Sequence, residues 1–432
     1  MSFCRFSAGA TVIGLCLLFA TVRASAVVQI PQPLTLDAAL AWADTYNPAV
    51  RAADIRIRRL GGEAIHADVA VPSNPRVELE AGRRDQPDGS ATDIGIRISQ
   101  QFWVAGQGGL NAAVAGHALS AARADAAYLR ASTAARTRAA FLSVLVAEQA
   151  VATAERVVDT NEKLDDYAAR RLEAGAGTRI ETNAALLGLQ RARAFAAAAR
   201  DTATQARLQL KNLLAIDPAR RLRIEGTLAF RRLQLPDESR LLERAVKKRG
   251  DLEAAAARVL AARKELSLAR RELVPNLTVF GFYREEAGGR NEGGADITGG
   301  GIGFELPLLH RYEGEREIAS AELSRARLDA DNLQRDVRLQ VLSALSAYRA
   351  ARERADLLSD AVLDAAENTL ELTRRSFAAG KVGAPAITSA QNNLVDIRRD
   401  YLDALAALVR AATDLERATG GLIVMDNTKA DA

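Results

Sequence analysis

Three histidines, two cysteines and one glycine run are the residues of this chain best equipped for covalent or metal chemistry. His66, His117 and His310 are scattered, and none stands beside a motif for nucleophilic or metal-assisted catalysis. The run GGGIG at 299–303 is glycine-rich, but it sits in a strand pattern and lacks the Lys-Ser/Thr that follows in a phosphate loop. Cys4 and Cys16 both fall in the first 26 residues. The carboxylates alternate with arginines along helical faces, where a solvated role is the default. The expectation is a protein that is not an enzyme, with no cofactor and no metal site.

The first residues, MSFCRFSAGATVIGLCLLFATVRASAVV, have Arg5 in a short polar start, an apolar stretch from Ala8 to Ala20 and Ala24-Ser25-Ala26 as a small-residue cleavage site. They read as a secretory signal peptide over 1–26, since the apolar run of about 13 residues is short of the roughly 20 that a span needs. A mature chain cut there has no thiol, and Leu15 before Cys16 argues against a lipid anchor. Formal net charge is +4 and becomes +2 once Arg5 and Arg23 are removed (4 − 2). With the signs interleaved, no nucleic-acid partner is expected.

What remains to be positioned is a set of turns. RRLEAGAGTRIETNAALL from Arg170 and RRSFAAGKVGAPAITSAQ from Arg374 each interrupt a long Ala/Leu/Arg/Glu helix pattern with glycines. AVPSNPRVELEAG answers to ELVPNLTVFGFYR, GIRISQQFWVAGQGG to GIGFELPLLHRYEGE, and ALSAARADAAYL to ELSRARLDADNL, at offsets between about 203 and 206, which marks a tandem duplication. Each copy runs helix, strand, turn, strand, very long helix, glycine turn, second long helix. The first repeat is placed at 27–214, with a strand pair about 76–103 and a tip at 174–178. A linker follows at 215–236. The second repeat is placed at 237–420, with a strand pair about 276–308 and a tip at 379–385, and a tail at 421–432. Asn47-Pro48 should break one short helix from the next, with Gly250 near the corresponding place.

Leu323, Ala326, Ala330, Leu333, Val337, Val341, Ala344 and Tyr348 recur at steps of three and four, as one helical face requires. Leu119, Ala122, Ala126, Leu129, Thr133, Thr137, Ala140 and Val144 are their counterparts. The alanines permit close coiled-coil-like approach. A single helix from Gly108 to Ala174 would be about 100 Å long.

The strand segments alternate instead. Val77, Leu79 and Ala81, then Ile94, Ile96 and Ile98, then Ile302, Phe304 and Leu306 face one way, with polar or small residues between them. NLTVFGFY is apolar on both faces and leaves its orientation open. Pro-Asp-Gly near 88 and AGGRNEGGAD near 290 read as the connecting loops. Four strands left open would keep two bare edges and an apolar face. In lipid only a closed barrel satisfies every backbone group, and such barrels begin at about eight strands, so several chains must share one. A soluble sheet covered by helices is the alternative on pattern alone.

Over essentially its whole mature length the chain resembles the TolC family of outer-membrane efflux proteins. The duplicated layout carries the resemblance, with LTLDAALAWADTYNPAV at the start, LQLKNLLAIDPARRLRIEGTL closing the first copy, the glycine turns, and LERATGG at the end. It implies a mainly α fold with a small β part: a homotrimer whose tandem helical hairpins form an α-barrel in the periplasm and whose four strands per chain build a twelve-stranded barrel in outer-membrane lipid. It implies a periplasmic adaptor (membrane fusion) protein as a partner, met at tips Gly175, Gly177, Thr178, Gly380, Val382 and Gly383, and through it an inner-membrane pump. Some members ring the pore with aspartates just past each turn; here those places hold Asn183, Ser389 and Asn392, with Glu181 the nearby acid. SNPRVELEAG followed by ISQQFWVAGQGGLNAAVAGHAL is similar to the branch serving heavy-metal cation pumps of the resistance-nodulation-division type. Drug or type I protein secretion ducts of the same family are the alternative, and a soluble periplasmic coiled-coil scaffold is the reading from another class.

Overall fold

The computed structural model describes residues 30–86, 89–226, 235–288, 293–358 and 360–421. The expected signal peptide, Pro87-Asp88 of the first loop, residues 227–234 of the linker, residues 289–292 of the second loop and most of the tail lie outside them.

Two helices open the fold, α1 (Leu36–Tyr46) and α2 (Pro48–Ala67). Asn47 makes the break between them: its side chain accepts from the Ala49 and Val50 N–H groups at 2.9 and 3.4 Å, and Pro48 starts the new helix where no N–H is needed. Strands β1 (Arg76–Gln86) and β2 (Gly89–Phe102) follow, then α3 (Gln107–Glu173) and α4 (Arg179–Leu213). The second copy repeats the order with α5 (Glu238–Lys248), α6 (Gly250–Arg271), β3 (Leu277–Glu286), β4 (Ala295–Phe304), α7 (Glu313–Leu357), α8 (Asp360–Ala378) and α9 (Ala384–Ala418).

At 67 residues α3 is about 100 Å long. The seam face is buried as the spacing requires: Ala122, Ala126, Thr133, Thr137, Ala140 and Val144 in α3, and Leu323, Val337, Val341, Ala344 and Tyr348 in α7. Small side chains let neighbours close in. Ala121 and Ala124 pack on Ala254 and Ala257 of α6, and Ala154 on Ala196 and Ala199 of α4. Each copy also has its own larger core, one around Phe141, Val144, Leu210 and Leu214, the other around Leu241, Val341, Leu345 and Leu415.

The second arm departs from expectation. One very long helix was expected, but the chain turns out of helix at Leu358 (φ −94°, ψ 34°), dividing α7 from α8. No glycine or proline stands at that point, and nothing in the neighbouring residues accounts for the break.

The strands form one antiparallel meander, β1-β2-β3-β4, with β1 and β4 at its edges. Register puts Val77 opposite Ile98, Ile96 opposite Tyr283 and Val279 opposite Ile302, so one face is an apolar belt. The belt is bare in the single chain, with Leu79 78% and Ile302 65% exposed. Leu306, expected to continue the β4 alternation, lies past its end. Pro307 has no N–H for a ladder, and Leu308 N–H donates back to Leu306 O at 2.8 Å in a three-residue turn.

The orientation of β3 is also settled. Leu277, Val279 and Tyr283 join the belt, and Phe280 and Phe282 take the other face, opposite Gly301 and Gly299. A Cβ at either glycine would come within 2.8 and 2.6 Å of those rings, so the glycines are the slots the phenylalanines occupy. Among the described residues no helix is long and apolar enough to cross a membrane.

Candidate hairpin tips and channel wall

Both tips are built by the same backbone device. At the first, Gly175 has φ +70°, its N–H donates to Leu172 O at 3.0 Å, and Ala176 N–H reaches Arg171 O at 2.9 Å. At the second, Gly380 has φ +71°, with Gly380 N–H to Phe377 O at 2.9 Å and Lys381 N–H to Ser376 O at 2.8 Å. This is the left-handed C-cap that satisfies the last helical carbonyls, and it explains both glycines without any partner.

The outgoing helices start differently. Thr178 caps α4 through a capping box: its hydroxyl accepts from Glu181 N–H at 3.2 Å, and the Glu181 carboxylate accepts from Thr178 N–H at 3.2 Å. Gly383 caps α9 with no side-chain bond, and Pro385 supplies the fixed first turn. Gly177 is crowded, since a Cβ there would lie 3.0 Å from Arg171 Cβ, whereas Gly383 has φ −86° and Val382 is half-buried.

One arginine ties the tips together. Arg171 donates to Ala176 O at 2.6 Å in its own turn, and its guanidinium sits 5.2 Å from the Phe377 ring and 6.0 Å from Tyr167. Tyr167 meets Phe377 edge-on at 5.9 Å, beside the buried Leu370, Ile387 and Leu394.

Of the residues expected at a constriction, Asn183 and Ser389 are exposed, Asn392 and Glu181 are half-buried, and Glu181 is committed to the capping box. Asn392 borders a crevice between α3, α4 and α9 with Asp396 and Arg399. Sequence reading passed over Asn161 and Gln391, both buried, at the centre of that packing. The signal was present, because Gln391 shares the face of Ile387 and Leu394 by steps of four and three.

Nearer the sheet, Arg249 joins α5 to α6 and is only 3% exposed for the whole residue. It donates to both Asp251 oxygens (3.0 and 2.6 Å), to Gln340 at 2.7 Å and to the Ala418 carbonyl at 3.4 Å. Burial opposes its charge, but the Asp251 hydrogen bonds and charge, with Tyr128 beside it, outweigh that and raise its pKa. At the base of the sheet, burial and the neighbouring Glu315 carboxylate raise the pKa of Glu272. His310 pairs with Glu315 at 3.1 Å, far from His66 and His117 in sequence. Among the described residues no group of three or more His, Cys, Asp or Glu is placed to hold a metal.

The wall has two chemistries. On the face opposite the belt, Glu80 pairs with Arg284 at 3.3 Å across Gly95, Arg84 with Asp93 at 3.1 Å, and Arg97 lies 5.2 Å from the Phe280 ring. On the belt face of β2, from Ile94 to Phe102, the one polar residue is Gln100, opposite Val279, and it donates to Ser73 O at 2.8 Å. Nine residues at about 3.3 Å each, tilted about 45°, rise about 21 Å, close to the roughly 25 Å apolar band of outer-membrane barrels.

Residues 241–421 match the family model described as outer membrane efflux protein. That match covers the second copy of the repeat, which is similar to the outer membrane efflux proteins. The chain is 25% identical over 390 residues to the cobalt-zinc-cadmium resistance protein CzcC of Cupriavidus metallidurans, covering 90% of each chain. It is 27% identical to protein CyaE of Bordetella pertussis over 74% of this chain and 70% of that one. The solved outer membrane channel CmeC of Campylobacter jejuni has the same fold, with a TM-score of 0.77 at 15% identity over 89% of this chain and 85% of that one.

Proposed function

We propose that three copies of this chain close head to tail into one duct, the exit channel of a tripartite efflux system. The observation that carries this is the open strip. β1 ends one side of the sheet and β4 the other, and along the helices α2 and α4 pack on α3 while α7 and α8 pack on α9. A strip with different edges closes by a heterologous ring, and twelve strands exceed the minimum for a barrel. Closure turns the apolar belt to lipid and the Arg97, Glu80 and Arg284 face to the lumen, and hides every bare strand edge.

In this reading the tips at Gly175, Gly177, Thr178, Gly380, Val382 and Gly383 meet a periplasmic adaptor, which links the duct to an inner-membrane pump, of the resistance-nodulation-division type in the heavy-metal branch. Asn183, Ser389 and Asn392 line the narrow end. With Glu181 bonded into its cap, this constriction holds cations weakly. Likeness to CzcC along 90% of the chain favours heavy-metal cations as cargo. A passive duct needs no metal ligands of its own, because selection belongs to the pump.

The test is survival of a strain lacking the protein on graded zinc, cadmium, cobalt and copper beside hydrophobic drugs and detergents. Selective loss of cation tolerance is expected; selective drug sensitivity overturns the cargo. In parallel, the protein should fractionate with outer membrane and weigh three chains in detergent. Recovery from the soluble fraction would make it a periplasmic scaffold.

A further inference from the structure

About 18 Å up α3 from its end, at 1.5 Å per residue from Glu173 to Asn161, the two hairpins leave a crevice between α3, α8 and α9. Its walls carry more positive charge than negative: Arg156, Arg374 and Arg398 against Glu367 and Glu371. Both carboxylates are engaged, Glu367 by Arg398 and Glu371 by Arg375 at 3.0 Å. Arg156 reaches only the Thr153 hydroxyl, at 3.4 Å, and Arg374 has no polar partner among the described residues.

At the inner end stands Gln391, 6% exposed, whose side-chain Nε2 has no acceptor. A buried donor left unmet is costly, so such groups mark places where an acceptor is missing. The floor is apolar, formed by Val157, Leu370 and Leu394. Two unpaired guanidiniums and an unmet N–H all want an acceptor-only group, and a carboxylate is one. A water molecule would satisfy the amide and leave the guanidinium charges uncompensated, whereas a cation would be repelled.

We propose that this crevice binds a carboxylate carried on a short apolar chain, either a free amphipathic acid or an acidic side chain of a partner protein. The site lies within one chain and does not rest on the duct reading.

The experiment is calorimetric titration of the full-length protein in lipid nanodiscs with hexanoate, hexanol, hexylammonium and the blocked tripeptide acetyl-Leu-Glu-Leu-amide. Saturable binding of hexanoate or the peptide is expected, with none by hexylammonium and at least tenfold weaker binding by hexanol. Preference for hexanoate identifies a free acid, and preference for the peptide identifies a partner's side chain. The double variant Arg156→Gln with Arg374→Gln should lose at least tenfold in affinity, and Gln391→Glu should abolish binding. These changes lie away from the larger cores, and unchanged melting would show that the variants fold. Binding of hexanol as tight as hexanoate, binding that survives the double arginine variant, or no binding of either carboxylate overturns the proposal.

Discussion

The two short-helix junctions, Asn47 and Arg249, stand at matching places in the two copies and do the same job by different means. Asn47 donates its Nδ2 to the Leu213 carbonyl at the end of α4, at 2.8 Å; Arg249 donates to the Ala418 carbonyl at the end of α9, at 3.4 Å. Each pins the start of one helix to the end of another about 165 residues along, so both copies solve the problem of an orphaned helix-end carbonyl. The first copy uses a neutral amide that also caps its own helix. The second buries a charge and must then supply Asp251, Gln340 and Tyr128 to hold it. After duplication, geometry was kept while chemistry diverged.

The comparison makes its largest forecast at the charged junction. Arg249→Ala strips the partner from a nearly buried Asp251 and leaves Gln340 and the helix-end carbonyl unmet, a loss of about 3–5 kcal/mol. Thermal unfolding of the detergent-solubilised protein would read it as the steepest drop in the set. Gly250→Ala should come next. Its Cβ would stand 2.5 Å from the Ala124 carbonyl, so α6 must move off α3, at a cost of about 1–3 kcal/mol in the same assay.

Asn47→Ala removes only a cap and one neutral hydrogen bond and should cost about 1–2 kcal/mol. A loss equal to that of Arg249→Ala would erase the distinction between the two junctions. At the tips, Arg171→Ala should speed amide exchange around Ala176 and Phe377, through loss of about 0.5–1 kcal/mol of ring contact and a turn bond. The second tip has Ser376 in that place; Arg375, one residue before it, pairs with Glu371 on its own exposed helix face, and its alanine variant should leave exchange unchanged.

The smallest effect concerns Glu272. Its carboxyl is raised in the folded state, so the fold binds more protons there than the unfolded chain; stability is lost as pH rises from the unfolded value through the folded one. Glu272→Gln should therefore melt slightly higher than the parent at pH 7 and equal to it at pH 3.

Much of this architecture could be read from residues alone. Alternation in β1, β2 and β4 is visible because one face is apolar and the other is not, and the tips announce themselves because only glycine takes φ near +70° freely. The orientation of β3 could not be read, since Phe280 and Phe282 are as apolar as the belt. Their side was set by the glycines of β4, a contact between strands. Arg249 was hidden because charge normally reads as solvent-facing, and Gln391 because one polar residue on an apolar stripe is easily taken for its edge. The division of α7 from α8 leaves no trace in composition, with helix-forming residues leading up to it.

The unbroken hydrogen-bonded ladder of α3 has a consequence for how such a protein can change over evolutionary time. Adding one residue to the 67 of α3 would carry everything beyond it forward about 1.5 Å and swing it about 100° around the axis, so Gly175 would point the wrong way. An insertion of seven, near two whole turns, restores direction at a reach about 10 Å longer, provided α4, α8 and α9 lengthen to match. Reach is therefore inherited in quanta, and any relative of a different length is expected to differ by paired multiples of whole turns.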